Sequence, residues 1–420
     1  MRSHGHQAWF VGGCVRDLLL GCNPKDYDVA TDAPPDRLIE LFPKSGRVGA
    51  HFGVVLVHEN DCHVEVATFR SDRAYEDGRR PSGVQFEHDP RQDVLRRDFT
   101  INALLLDPVS GEVLDFAGGR EDLKARVIRA IGDPEVRFRE DHLRLLRAVR
   151  FAARLNFRIE ESTFGAIAKL SPLIRTVSAE RVRDELTRIL TEGGARRGFE
   201  LLDSTGLLRQ TLPEIAAMKG VKQPPEYHPE GDVWTHTLMM LEGLRNPSGT
   251  LAWGVLLHDV GKPPTFRIAD RIRFDGHVEA GVKLARGILE RLRFSHDEIA
   301  QVEALVSNHM RFKDVPQMRE STLKRFLRLP EFDEHLELHR LDCLSSHANL
   351  DNYQMVQAKR SEMPAEVLKP APLLTGHDLI AAGYRPGPEF SMMLAAVEDA
   401  QLESRIHTRE EALQLVKERW

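Results

Sequence analysis

The segment Val11–Thr31, VGGCVRDLLLGCNPKDYDVAT, decides the reading of the fold. Trp9–Val11 reads as a short apolar strand that runs directly into Gly12-Gly13. A short helix follows, clearest over Arg16–Leu20, and then a second strand over Lys25–Ala30. Glycines at such a turn let backbone N–H groups approach a phosphate closely, and the helix N-terminus adds favourable partial charge. Asp26 and Asp28 are two residues apart, so on a strand both carboxylates point to one face. Two carboxylates on one face suit a pair of Mg2+ ions that hold a triphosphate beside an attacking hydroxyl. Glu65, in the apolar strand Val64–Phe69, is the candidate third carboxylate. A lone Gly-Gly is ordinarily a turn, and a lone D-x-D is ordinarily a solvated strand edge. The order strand, Gly-Gly, helix, D-x-D points instead to phosphate chemistry.

Outward from this segment, Val54–Val57 reads as a strand, Pro34–Leu41 as a short helix, and Ile101–Leu106 as a strand or a helix end. This mixed unit ends near Gly132-Asp133-Pro134, and from Glu135 the period becomes helical. Leu143, Leu146, Val149, Phe151, Ala152 and Leu155 form one apolar stripe. Helical patterns continue through Arg181–Leu190 and Gly198–Leu202, with Gly193-Gly194 between them. The Pro-rich, polar Lys222–Asp232 (KQPPEYHPEGD) reads as an internal boundary. Beyond it, helices are expected at Trp234–Leu244, Val278–Arg291, Asp297–Asn308, Thr322–Leu327 and Glu334–Leu344. Pro364–Pro372 reads as a linker to two short helices that reach Trp420. The expected class is α+β. A mixed α/β head (1–134) precedes an all-helical neck (135–221), a helical domain (222–363) and a helical tail (364–420). No repeat of fixed period is present.

The 420 residues exceed what one hydrophobic core supports, so several domains are expected. With 41% hydrophobic and 29% charged residues, the composition is globular rather than disordered. No run of about 18 apolar residues exists, which argues against a membrane-spanning helix. The start, Met1-Arg-Ser-His-Gly-His, lacks a signal-peptide pattern. Cys14, Cys22, Cys62 and Cys343 are scattered and form no C-x-x-C, which fits a reducing cytoplasm and argues against a disulfide framework or cysteine zinc site. The net charge, 58 − 64 = −6, requires any nucleic-acid binding to rest on a local patch.

VGGCVRDLLLG-x4-DYD resembles the head signature of the class II tRNA nucleotidyltransferases, which include CCA-adding enzymes and bacterial poly(A) polymerases. Val94–Leu104, VLRRDFTINAL, is similar to that family's second motif. The resemblance implies that Arg97 and Asp98 contact the sugar and phosphates and select ribonucleotides. Gly12, Gly13, Arg16, Asn102, Arg147 and Arg150 join them as candidate nucleotide-binding residues. Asp115–Gly119, DFAGG, resembles the family's hinge, Glu140–Arg144, EDHLR, its E-D-x-x-R motif, and Ala179–Leu186, AERVRDEL, the helix after it. The resemblance implies that Asp141 and Arg144 hydrogen-bond the incoming base. An Asp and an Arg three apart on a helix face the same way. An Arg fork donates to O2 and N3 of cytosine, and after a small rotation the pair serves N1 and N6 of adenine. Arg70–Pro81, RSDRAYEDGRRP, looks like the loop that members adding the terminal A possess and CC-only members lack. This leaves complete CCA addition and A-only addition open. Poly(A) addition is a further alternative, although His51-Phe-Gly-Val-Val stands where many poly(A) polymerases carry a basic, apolar-strand signature. The resemblance runs from about Ala8 to Leu212. Few residues precede the first strand, so no N-terminal helix is expected.

Arg147, Arg150 and Arg154, with Arg137, Arg139, Arg144 and Arg158 nearby, form a basic stripe suited to phosphates of an RNA acceptor end, and Arg181, Arg183 and Arg188 add to it. The 18 histidines are the compositional oddity. His236, His258-Asp259, His277, His309 and Asp342 follow the order of the HD superfamily of metal-dependent phosphohydrolases, which they resemble in the version able to hold two metals. Imidazoles and carboxylates together suit Mg2+, Mn2+ or Ni2+, and Lys262 is placed to contact a phosphate oxygen. The resemblance implies 2′,3′-cyclic phosphodiesterase, 2′-nucleotidase or phosphatase activity. His228, His296, His335, His339 and His347 read as surface or core. The expected whole is a cytoplasmic, bifunctional RNA enzyme using CTP and ATP on the tRNA 3′ end. Its oligomeric state is open. The rival from another class is an RNA-binding scaffold with a structural HD domain.

Overall fold

In the computed structural model, which describes residues 1–47, 53–59, 62–73, 78, 81–226 and 228–420, the chain divides between two units. The first comprises Met1–Ala217 with Leu244–Asn246 and Arg291–Phe294; the second comprises Met218–Gly243, Pro247–Glu290 and Ser295–Trp420.

The first unit is built on a mixed sheet. Its strands are β1 (Trp9–Val11), β2 (Asp28–Thr31), β3 (Ser45–Arg47), β4 (Val54–Glu59) and β5 (Cys62–Thr68), joined after a two-stranded hairpin of β6 (Arg70–Asp72) and β7 (Val84–Phe86) by β8 (Leu104–Leu106) and β9 (Val113–Asp115). The spatial order is β3-β4-β5-β2-β1-β8-β9, with β2 and β5 parallel and the other neighbours antiparallel. Alternation assigns the faces: Val29, Val55, Val57 and Val66 pack with Leu38 of the helix Pro35–Leu41. Burying each such side chain stabilises the sheet by about 1.5–3 kcal/mol. The intervening residues of β2 and β5, Asp28 and Glu65 among them, lie on the opposite face.

Two expectations change here. The second strand begins at Asp28, and Asp26 sits in a bend before it. Its partner β1 ends at Val11 and turns away at Gly12, so Lys25–Tyr27 have no strand to pair with on that side. The segment Ile101–Leu106 divides into a 3-10 turn, Thr100–Asn102, and β8. Residues 74–77 and 79–80 of the expected loop, and His51 and Phe52, lie outside the described residues.

The rest of this unit is helical apart from a short parallel pair, Val127–Ile128 with Arg158–Ile159, so the neck is not the all-helical segment expected. Asp133 caps the helix Pro134–Glu140 by accepting from the Glu135 N–H at 2.8 Å. The helix Arg144–Leu155 follows, buried along most of its length, and ends at Asn156 in the left-handed conformation. The helices Ala179–Thr191 and Ala195–Ser204 pack on it.

The second unit centres on the helices Val233–Gly243, Gly249–Leu257, His277–Arg291, His296–Asn308 and Phe332–Ser345, with Trp253 fully buried among them. Gly261 allows the turn after Asp259 to touch another backbone: a Cβ there would lie 2.0 Å from the His277 carbonyl oxygen. The expected linker at Pro364–Pro372 contains a helical turn, Ala365–Leu368, because Leu368 buries into a cluster with Phe312 and Phe326. The tail has three helices rather than two: Gly376–Ala381, Glu389–Leu402 and Arg409–Arg419. Leu379, Met393, Val397 and Val416 give them their own core. Among the described residues, no helix is long and apolar enough to cross a membrane.

Candidate functional site

Asp28 and Glu65 stand directly opposite each other in the register of β2 and β5. Burial raises the Asp28 carboxyl above its ordinary range, Glu65 and Asp26 raise it further, and Arg97 opposes them. Asp26 is exposed in its bend, yet its charge reaches Asp28. Gly12, with φ +77°, runs beneath this group: a Cβ there would lie 3.3 Å from Arg97 Nη1 and 3.8 Å from Asp28 Oδ2. A larger residue would be strained there and would crowd both groups. Gly13 begins the helix Gly13–Leu19. Arg97 is held by Asp93, Nη2 to Oδ2 at 2.9 Å. Three hard carboxylates, two of which press on the third at Asp28, fit the donor chemistry of Mg2+.

Arg16, Asn102, Asp98, Arg147 and Arg150 form one polar chain. Buried Arg16 donates to Asn102 Oδ1 at 2.8 Å, and Asn102 donates to Asp98 Oδ1 at 3.1 Å. Asp98 Oδ2 accepts from Arg147 Nε and Nη2 at 2.9 and 2.6 Å. Burial alone would raise the Asp98 carboxyl, but the Arg147 guanidinium outweighs it and holds the group down to about 2. Arg150, only 5% exposed, donates to Glu185 at 2.7 Å, and Arg154 pairs with Glu192 and Asp17. The expected basic stripe is therefore corrected. Arg147, Arg150 and Arg154 are tied to acids because their helix is packed on most sides, whereas Arg139, Arg158 and Arg188 are exposed.

Asp141 and Arg144 do not share a helix. Asp141 is extended (φ −141°, ψ 106°) in the break between the two neck helices, and Arg144 opens the second. Asp141 accepts from Arg181 at 2.8 and 3.1 Å. Arg144 donates to Glu140 at 2.5 Å and to the carbonyls of Arg137 and Arg96 at 3.0 and 3.1 Å. Arg181, absent from the candidate nucleotide-binding set, was marked by the sequence only as part of the basic stripe and of the AERVRDEL stretch.

In the second unit, His258, His277 and His309 each donate Nδ1–H to the carbonyl three residues back, Val255, Phe274 and Val306, at 2.8, 2.9 and 2.7 Å. His236 donates Nδ1–H to Glu230 Oε1 at 2.7 Å. These acceptors hold a proton on Nδ1, so in the neutral ring Nε2 carries the lone pair; burial opposes charge on His236, but Asp342 and Glu230 raise it to about 9, and a cation at Nε2 would displace its second proton. All four Nε2 atoms are buried, with no hydrogen-bond partner among the described residues. They converge on two carboxylates: His236 Nε2 lies 3.2 Å from Asp342, and His258, His309 and His277 lie 3.2, 3.8 and 4.0 Å from Asp259. Burial pushes the His309 imidazole down to about 4, with Asp259 opposing. Orphaned imidazole lone pairs around buried carboxylates fit a divalent metal centre, and the Nδ1 bonds are the outer support such ligands need.

A cavity of about 580 Å³ opens onto this centre, lined among others by His228, Lys262, Phe274, Lys313 and His347. Lys262 Nζ is itself bound, at 2.6 Å to both Asp259 and Gln223. His228 and His347 thus lie on the cavity, while His335 and His339 are buried, the latter stacked on Phe312 at 4.2 Å. Sequence reasoning missed Glu230, His228 and Gln223 because all three lie in KQPPEYHPEGD, whose prolines read as a boundary.

Comparison with known proteins matches three families. Residues 8–129 match the Poly A polymerase head domain, 156–219 the probable RNA and SrmB-binding site of polymerase A, and 232–342 the HD domain. A CCA-adding enzyme of Enterococcus faecalis is 32% identical over 421 residues, covering 98% of this chain and 92% of that one. A CCA-adding enzyme of Bacillus pumilus is 38% identical over 261 residues, 62% of this chain and 61% of that one. This match and that to a Geobacillus CCA-adding enzyme span about half to three fifths of those relatives' length. The crystal structure of the Bacillus stearothermophilus CCA-adding enzyme in complex with CTP superposes with a TM-score of 0.77 at 28% identity, covering 100% of this chain and 94% of that one.

Proposed function

The chain belongs to the family of CCA-adding enzymes, and on that premise we propose that it adds C and A from CTP and ATP to the 3′ end of tRNA in the cytoplasm. The observation that carries the reading is Asp28 opposite Glu65 above Gly12, with Asp26 close enough to act on Asp28. Asp26, Asp28 and Glu65 would hold two Mg2+ ions, which when bound lower the pKa of the attacking 3′-hydroxyl and stabilise the departing pyrophosphate. Arg97, steadied by Asp93 beside Gly12, offers charged donors to the triphosphate. Asp98, fixed by Arg147 and Asn102, orients the ribose. Asp141 and Arg144 read the base edge by exchanging their present partners, Arg181 and Glu140, for the base. A side-chain template of this kind changes from C to A by small rotations of the same donors.

The second unit is proposed to hydrolyse a phosphoester at the His236, His258, Asp259, His277, His309 and Asp342 centre, with Mg2+, Mn2+ or Ni2+ supplying an activated water. The four orphaned Nε2 atoms support this over a structural histidine core.

The test is an addition assay with three RNAs: tRNA lacking CCA, tRNA ending in CC, and an unrelated RNA. Each is given CTP alone, ATP alone, or both. Completion of CCA on the first RNA is expected. Growth of long A tracts on the unrelated RNA would overturn the reading in favour of a poly(A) polymerase, and addition only to the CC-ending tRNA would reduce it to an A-adding enzyme.

A further inference from the structure

Glu230 is bonded to two histidines at once. Its Oε1 accepts from His236 Nδ1 at 2.7 Å and from His228 Nδ1 at 2.8 Å, and its Oε2 is buried with no partner among the described residues. The two rings meet edge to face, with centroids 5.1 Å apart. His236 is fully buried and turns Nε2 toward Asp342, whereas His228 is 18% exposed and lines the cavity beside Lys262. A carboxylate can only accept, so both Nδ1 atoms carry a proton and, in the neutral rings, both Nε2 atoms are left as acceptors. One ring then faces the carboxylate cluster and the other faces the cavity.

We infer that Glu230 is a positioning residue for the metal centre, locking His236 as a ligand through Nε2, and that the same carboxylate aims the Nε2 lone pair of His228 into the cavity, as an acceptor for a proton of the water or of a P–O–H group there, rather than at the metal. The inference rests on the metal-centre reading above. Outer partners of ligating histidines set ring orientation and basicity, and their loss typically costs about 10–100-fold in metal affinity. Without Glu230, the His236 ring is free to rotate and to move its proton to Nε2, which abolishes that lone pair. His228 shares the carboxylate but lies on the substrate side, next to an ammonium that also faces the cavity.

The experiment is Ni2+ titration of the full chain by calorimetry in excess Mg2+, which occupies the oxygen-only cluster of the first unit while imidazoles select Ni2+. Inorganic phosphate is then titrated into the Ni2+-loaded protein. Glu230→Ala is expected to weaken Ni2+ binding about 10–100-fold, with Glu230→Gln, a neutral acceptor of the same shape, regaining part of the loss. His228→Gln is expected to keep Ni2+ affinity within about twofold and to weaken monohydrogen phosphate by up to about tenfold, as loss of the hydrogen bond that its P–O–H group donates to Nε2 would. Thermal unfolding checks each variant, and if Glu230→Ala does not fold, Glu230→Gln decides. Wild-type protein that binds no Ni2+ overturns the metal centre itself. Wild-type binding with undiminished affinity in both Glu230 variants overturns only the positioning role. A His228→Gln loss of Ni2+ as large as that of His258→Ala makes His228 a ligand and overturns its substrate-facing role.

Discussion

Asp28 and Glu65 face each other across the parallel strands β2 and β5, on the side of the sheet opposite Val29 and Val66. The same pairing that buries the valines forces the two carboxylates together, and burial and Glu65 both raise the Asp28 carboxyl. Such repulsion opposes folding unless a cation is present. Asp28→Asn is therefore expected to abolish nucleotide addition, exceeding the roughly 10–100-fold cost of losing an outer-shell group. Its melting temperature in EDTA should equal or exceed that of the wild type. Addition at near wild-type rate, or a lower melting temperature in EDTA, counts against a carboxylate cluster built for metal.

The Asp98–Arg147 pair predicts an acid limb in the stability of the first unit. Burial disfavours the Asp98 carboxylate, yet Arg147 and Asn102 bring its folded pKa down to about 2, below the ordinary carboxylate range. A depressed carboxylate stabilises the fold fully above its unfolded pKa of about 3.9, and that stability is lost as pH falls toward 2. The shift corresponds to about 2 kcal/mol. Asp98→Asn should lose this amount or more at neutral pH, because it leaves Arg147 without its partner, and its stability should fall less steeply between about pH 4 and pH 2. Denaturant titrations across that range measure both slopes. Parallel slopes would remove Asp98 from the account.

Base selection is predicted to involve Arg181 as well as Arg144. Arg181 grips both oxygens of Asp141 in the break between the neck helices. Arg144→Ala should lose discrimination among CTP, ATP, UTP and GTP by about 1.5–3 kcal/mol, the worth of charged hydrogen bonds. Arg181→Ala frees Asp141 to rotate and should blur the same choice by a smaller amount while triphosphate affinity holds. Competition between nucleotides at a tRNA ending in C reads both effects. Unchanged selectivity in Arg144→Ala would move the template elsewhere.

Much of this arrangement was legible because local patterns coincide with tertiary partners. The alternation of Val64–Phe69 puts Glu65 on the face away from the valines, and the D-x-D reading put Asp28 on a strand, although that strand starts at Asp28 and not at Lys25. The reading failed where a residue's conformation depends on what its neighbours do elsewhere. Asp26 leaves the strand because β1 stops at Val11. Asp141 leaves the helix although its spacing to Arg144 is helical, and Arg181 takes up its carboxylate. The arginine stripe had the period of a solvated face, but its partners Asp98, Glu185 and Glu192 come from distant segments. Glu230 was hidden by its context, since proline-rich composition marks irregular backbone and does not report what that backbone carries.

The two chemistries are expected to separate by mutation. His258 lies in the second unit with its Nδ1 bound to Val255 and its Nε2 3.2 Å from Asp259, while the residues proposed for nucleotide addition all lie in the first. Because each unit has its own core, His258→Ala should remove bound divalent metal and hydrolysis of a 2′,3′-cyclic nucleotide or 2′-phosphate, leaving nucleotide addition within about twofold of wild type. Lys262→Ala should differ from it. An ammonium only donates, so it cannot ligate a metal, but its 2.6 Å bonds to Asp259 and Gln223 place it on the cavity wall. Its loss should raise KM for the phosphoester while metal is retained. Metal content by mass spectrometry, paired with hydrolysis and addition assays on one preparation, checks all three outcomes. Wild-type protein purified without metal and inert with Mg2+, Mn2+ and Ni2+ would leave the second unit as a scaffold. Loss of nucleotide addition in a folded His258→Ala would show instead that the two centres are coupled.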